Sequence, residues 1–280
     1  MHIKRLTALL PYALFLATSI SAVQAESVGM PAPSEESNSA FKPQKHFSPY
    51  AGRNFPTQVY WGDTHLHTGM SFDAGSFGAR LMPSDAYRFA RGEEVTSSTG
   101  LQVKLSKPLD FLVVADHSDN MGWFPKLFEG DPEMLANPQV KEWYDMINEG
   151  GQTAVAAAIQ IIEAFSQGTF PMETASMPGT ASYTSAWKTA IDAADEFNDP
   201  GRFTAFIGYE WTSNAAGNNL HRVVVNRDDG NKASMMEPYT TLEPVGSPDP
   251  RDLWKWMQSY KDKTGGHMLA IAHNGNLSNG

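Results

Sequence analysis

Five short runs rich in β-branched and aromatic residues, at 57–64, 109–115, 202–209, 221–226 and 267–272, constrain this chain more than any other feature. Amphipathic segments with helix start and stop signals lie between them, at 84–91, 184–197 and 250–263. The last is the best marked: Asp249 stands at the N-cap position, Pro250 opens the helix, Asp252 lies in its first turn, and Gly265-Gly266 follow. Each long helix is followed by an apolar strand, an order that predicts parallel βαβ units and an α/β fold. The stretch 118–200 is too long for a single crossover. Its alanine-rich helix at 153–165 and its Gly/Pro/Ser-rich passage at 168–182 predict an insertion or lid beside the main sheet.

Polar residues fall at the ends of these runs. His65 and His67 follow the first strand, Asp116 and His117 follow DFLVVA, Glu210 follows FTAFIGY, and His273 follows MLAIA. His221 is the exception, because it opens the run HRVVVN instead of closing one. In a barrel of parallel strands the C-terminal ends share one rim, so residues distant in sequence converge there. Residues two apart on a strand share a face, so the imidazoles of His65 and His67 can reach one ion. A carboxylate ending an apolar strand, as Glu210 does, is costly to bury unless it meets a cation, and it can bridge two of them. Asp116 either coordinates or fixes an imidazole from behind, with a capping role as the alternative. His2, His46 and His267 are set aside: they lie in the leader, in the linker and on the rim away from the site. Asn274, Asn276 and Arg222 are candidate substrate contacts, with turn-forming or surface roles as the alternative.

Composition narrows the chemistry. The chain has no cysteine, so a metal here must sit on histidine, carboxylate and water. With 31 acidic residues against 21 basic ones, it offers no electrostatic footprint for nucleic acid or anionic lipid. Residues 1–25 have a basic start, a short apolar run and a Val-Gln-Ala ending. They read as a cleaved secretory signal peptide, which predicts a periplasmic or secreted protein with no membrane span in its mature part. Residues 26–50 are rich in Pro, Ser and Glu, the composition of a solvated linker, leaving 51–280 as the folded domain.

Taken in order, HLH at 65–67, ADH at 115–117, Glu210, HRVVVN and IAHN at 271–274 resemble the polymerase and histidinol phosphatase (PHP) superfamily. The stretches VYWGDTHLHTGMSFDAGSFGARL, EEVTSSTG, PLDFLVVADHSD, FIGYEW and AHNGNLSNG are similar to its exported bacterial branch, labelled domain of unknown function 3604. The resemblance implies a distorted (β/α)7 barrel and a metal-dependent phosphoesterase. It also implies a two- or three-metal centre of zinc or manganese held by His65, His67, Asp73, His117, Glu210, His221 and His273. Asp73, in SFDAG, enters this set through the resemblance alone.

Members of the superfamily end with an Asp-x-His element. None follows His273 here, so 51–280 is expected to be the N-terminal part of a longer, incomplete barrel. The expected reaction is hydrolysis of a small-molecule ester, in which the metals lower the pKa of a bound water and neutralise phosphoryl charge. Glu210 and Asp116 are the expected catalytic carboxylates, Glu210 bridging and Asp116 in support. The alternatives are an amidohydrolase-type enzyme, a sulfate-ester hydrolase, or a module that binds metal or ligand without turnover. A bridging lysine, expected of an amidohydrolase, has its place taken by Glu210. The GMSFDAG stretch lacks the Gly-x-Ser-x-Gly elbow of a serine hydrolase.

Overall fold

Five of the apolar runs form one curled sheet in the order β1-β4-β5-β6-β7. The computed structural model describes residues 58–214, 217–273 and 278. The expected leader and linker, and Asn274 and Asn276, lie outside them. The strands are β1 (Gly62–Leu66), β2 (Val95–Thr96), β3 (Gln102–Val103), β4 (Phe111–Val114), β5 (Thr204–Trp211), β6 (Arg222–Asn226) and β7 (Met268–Ala272). β2 and β3 make a separate two-stranded ribbon.

The helices in chain order are α1 (Phe72–Ser76), α2 (Pro83–Ala90), α3 (Trp123–Glu129), α4 (Pro132–Leu135), α5 (Pro138–Glu149), α6 (Gly151–Ser166), α7 (Ala181–Phe197), α8 (Gly230–Ala233) and α9 (Pro250–Thr264). No described helix is long and apolar enough to cross a membrane. The α9 signals act as their chemistry dictates: Asp249 accepts the Arg251 N–H at 2.8 Å and Gly265 closes the helix at φ 64°. α7 begins earlier than its apolar pattern suggests, because the Thr180 hydroxyl caps it by accepting from the Tyr183 N–H.

The fold is therefore mixed α/β, and one expectation needs correcting. β1, β4 and β5 are parallel, but β6 pairs antiparallel with both β5 and β7. The connection from β5 to β6 is a loop without a described crossover helix, and a parallel return needs such a crossover. The antiparallel strand also resolves the exception of His221: the start of a reversed strand lies at the same rim as the ends of its neighbours.

Strand alternation gives the sheet two unlike faces. Leu112, Val114, Ala205, Ile207, Tyr209, Trp211 and Val224 point to one, where they form a core with Tyr87 of α2, Ala190 and Ala194 of α7 and Leu253 of α9. Val113, Ala115, Val223 and Val225, with Phe206 against them, occupy the other. Gly208 lies on that second face because a Cβ would stand 2.5 Å from Val113 Cγ1 and 2.9 Å from the Val224 carbonyl.

The expected insertion at 118–200 divides in two. α3 to α6 close over their own core of Phe72, Trp123, Phe124, Leu127, Trp143, Ile161 and Phe170. By contrast α7, which sequence order placed in the same insertion, packs through Tyr183, Trp187 and Ile191 into the main core and covers the sheet.

Candidate metal centre

Backbone pairing brings the polar residues together. Glu210 N–H donates to the Asp116 carbonyl at 2.9 Å and Ser118 N–H to the Glu210 carbonyl at 2.8 Å, so His117 and Glu210 are neighbours across the parallel pair. His273 N–H donates to the His221 carbonyl at 3.1 Å, tying the end of β7 to the start of β6. A register irregularity in β1 between Asp63 and Leu66 lets the His65 N–H turn to Asp63 Oδ1 at 2.8 Å, while Leu66 keeps its place in the core. Such a bulge re-aims side chains, and here His65 and His67 reach the face that carries Glu210 and the other candidate ligands, the ligand face.

Glu210 is the hub. It is fully buried, and neither carboxylate oxygen accepts a hydrogen bond. Five imidazole nitrogens surround it instead. Oε1 has His65 Nε2 at 3.2 Å, His221 Nδ1 at 3.4 Å and His273 Nε2 at 3.7 Å. Oε2 has His117 Nδ1 at 3.1 Å and His67 Nε2 at 3.4 Å. His65 Nε2 and His67 Nε2 lie 2.8 Å apart. A second carboxylate, Asp73, approaches His67 Nδ1 at 3.0 Å and His117 Nε2 at 3.4 Å.

Three donor groups could each hold an ion: His65, His67 and Glu210; His67, Asp73 and His117; and His117, Glu210 and His221. A buried carboxylate that makes no hydrogen bond and is ringed by imidazoles has the chemistry of a divalent-cation site.

Neighbouring side chains set which nitrogen of each ring is free. Ser71 Oγ gives its proton to Asp73 Oδ1 at 2.7 Å, so it accepts from His67 Nδ1 at 2.8 Å. Thr212 Oγ1 gives its proton to the Glu210 carbonyl at 3.1 Å and accepts from His117 Nδ1 at 2.6 Å. Asn214 Oδ1 stands 3.2 Å from His221 Nε2. Once the rings are neutral, these contacts leave the lone pairs on His67 Nε2, His117 Nε2 and His221 Nδ1, the arrangement by which outer partners orient metal-binding imidazoles. Ser71, Thr212 and Asn214 escaped the sequence reading. The signal for Ser71 was its position two residues before Asp73; hydroxyls and amides are too common in loops for the others to stand out.

The electrostatics agree. Burial would lower the pKa of His67, but the carboxylates of Asp73 and Glu210 beside it carry it up to about 10. Burial would raise the carboxyl of Glu210, yet the imidazoles of His221, His65 and His67 hold it far below the ordinary range. Asp73 is held down in the same way by His117 and His67.

Six of the seven expected ligands fall in the three donor groups, His273 stands beside them at 3.7 Å from Glu210, and Asp116 does not join them. Alternation turns it to the helix face, directly behind His117. There its oxygens accept the Thr68 N–H at 2.5 Å and the Thr68 hydroxyl at 2.7 Å, and burial pushes its pKa up. His267 lies at the far end of β7, before Met268. Arg222 donates to the Leu220 and His221 carbonyls at 2.7 and 2.8 Å, bracing the loop before β6.

Fold and cluster together define a mixed α/β protein whose strand ends assemble a buried His/Glu group that could bind metal, with Asp73 of α1 beside it. The family described as protein of unknown function (DUF3604) matches residues 54–280, and the chain belongs to that family. No curated protein and no solved structure matches it.

Proposed function

We propose that this chain is an exported, metal-dependent phosphoesterase of the PHP kind, using two or three zinc or manganese ions. The observation that carries the reading is Glu210: a fully buried carboxylate without a hydrogen bond, faced by nitrogens from His65, His67, His117, His221 and His273. Bound divalent ions would supply a water of lowered pKa and neutralise charge on a phosphoryl group.

The chain's own residues perform the remaining tasks. Glu210 spans two donor groups and fixes their separation. Ser71, Thr212 and Asn214 hold one ring nitrogen each of His67, His117 and His221; the opposite nitrogens of His67 and His221 face Glu210, and that of His117 faces Asp73. Asp116 anchors the backbone of Thr68, one residue beyond His67, and thereby positions both ligand segments without touching substrate. The basic start and apolar run at 1–25 support export.

The deciding experiment removes metal with a chelator, restores zinc or manganese singly, counts bound ions, and assays phosphate monoesters, phosphate diesters, sulfate esters and amides. Metal-dependent phosphate-ester turnover is expected. Turnover confined to sulfate esters or amides would replace the reaction class, and tight metal binding with no turnover would make the protein a binding module.

A further inference from the structure

A cleft of about 500 Å³ adjoins the cluster, lined by Phe165, Ser166, Thr212, Asn214, Gly217, Thr241 and Pro248. Its volume lies within the range of small-molecule sites, about 300–1,000 Å³. Two of its wall residues, Thr212 and Asn214, are the partners of His117 and His221. The larger cavity of about 620 Å³, bounded by Lys126, Glu133 and Glu173, contains none of the cluster residues.

The hydroxyls of the smaller cleft have a definite hydrogen-bonding sense. A hydroxyl has one proton and two lone pairs. Ser166 Oγ spends its proton on the Ile162 carbonyl at 2.8 Å, Thr212 Oγ1 on the Glu210 carbonyl at 3.1 Å, and Thr241 Oγ1 on the Asp119 carboxylate. All three therefore offer only lone pairs to an occupant. Among the described lining residues there is no lysine or arginine to attract an anion, and no aspartate or glutamate to attract a cation. Phe165 adds an apolar ring. The wall is also fixed in place: Asp119, buried two residues after His117, accepts the Thr241 N–H at 2.8 Å as well as its hydroxyl.

We infer that this cleft receives the uncharged, hydroxyl-bearing part of the substrate, a sugar or other polyol, which donates to Ser166, Thr212 and Thr241 and lays its C–H face on Phe165. The inference rests on the phosphoesterase reading for the reacting end and on the cleft alone for the rest.

The test uses the full chain reconstituted with metal and the probes glycerol phosphate, glucose 6-phosphate, choline phosphate and p-nitrophenyl phosphate. The polyol and hexose esters should exceed the choline ester in kcat/KM by about tenfold or more, the scale of a few pocket contacts. Ser166→Trp, which fills the cleft from an exposed position, should raise KM for glucose 6-phosphate about tenfold, whereas Glu133→Trp in the larger cavity should not. Preference for the choline ester, or an unchanged KM in Ser166→Trp, overturns the assignment.

Thermal melting with free glucose separates the two readings. A shift in wild type that Ser166→Trp loses, without turnover of any ester, keeps the cleft and sinks the phosphoesterase. No shift together with no turnover sinks both.

Discussion

Asp116 and His117 are adjacent in sequence at the same strand end, yet they belong to different parts of the molecule. His117 faces Glu210 and Asp73 on the ligand side of the sheet. Asp116 faces Thr68 on the helix side and is satisfied there by two hydrogen bonds. The comparison between the faces shows how one motif divides its labour. The ligand face holds groups that could take a cation, and the helix face holds a carboxylate whose partners are already present. A deletion on the first should cost metal; a deletion on the second should cost stability.

The largest expected effect is on the ligand face. Glu210→Ala should remove most bound metal and reduce ester turnover by on the order of a thousandfold or more, beyond the 10–100-fold typical of outer partners. His67→Ala should behave alike. Metal counting by mass spectrometry and steady-state assays check this, and full metal content in Glu210→Ala would break the comparison at its centre.

Next comes Asp116→Ala. It strands a buried Thr68 N–H and hydroxyl, so the metal-free protein should lose about 1–3 kcal/mol for each group left unpaired. Denaturant melts of the chelated protein measure the loss. If stability stayed at the wild-type value while metal affinity collapsed, Asp116 would belong with the ligands after all.

Ser71→Ala and Thr212→Val should sharpen the ligand face without dissolving it. Each releases one imidazole from its orienting partner, and metal affinity should fall about 10–100-fold with the fold intact. His267→Ala, at the opposite end of β7, should change neither metal content nor turnover.

The pH dependence follows from His67, whose pKa lies at about 10 in the metal-free protein. A raised histidine pKa stabilises the metal-free fold fully below about 6.5, its ordinary value, and this contribution is lost as pH rises through about 10. The depressed carboxyls of Glu210 and Asp73 have the opposite sign: their contribution is present above the ordinary carboxylate range and lost on acidification. Metal loading must displace the His67 proton, so affinity should strengthen across neutral pH by up to about tenfold per pH unit for each proton released. Calorimetry in two buffers of different ionisation heat counts those protons; a count of zero would place the ion away from His67.

Much of this was legible in advance because local rules governed it. Asp249, Pro250 and Gly265 marked a helix that runs where its caps put it. Each of the five strand runs overlaps one of the five strands of the sheet, with ends displaced by a few residues. Other features were illegible for identifiable reasons. The sense of β6 depends on what joins it to β5, and an apolar run looks the same read in either direction. The membership of α7 in the main core depends on packing against β5, which no periodicity within the helix reveals.

What the sequence determined by itself was the inventory and its period: no thiol, eight histidines, and chemistry-bearing residues set at the boundaries of apolar runs. Alternation along a strand is a property of the backbone, so the separation of Asp116 from His117 was already implicit there. Only the tertiary structure decided that residues from 65 to 273 surround one carboxylate. That decision belongs to the pairing of β1 with β4, β4 with β5, and reversed β6 with both its neighbours. Pairing is set by long-range burial of the two sheet faces, a free energy no single segment contains.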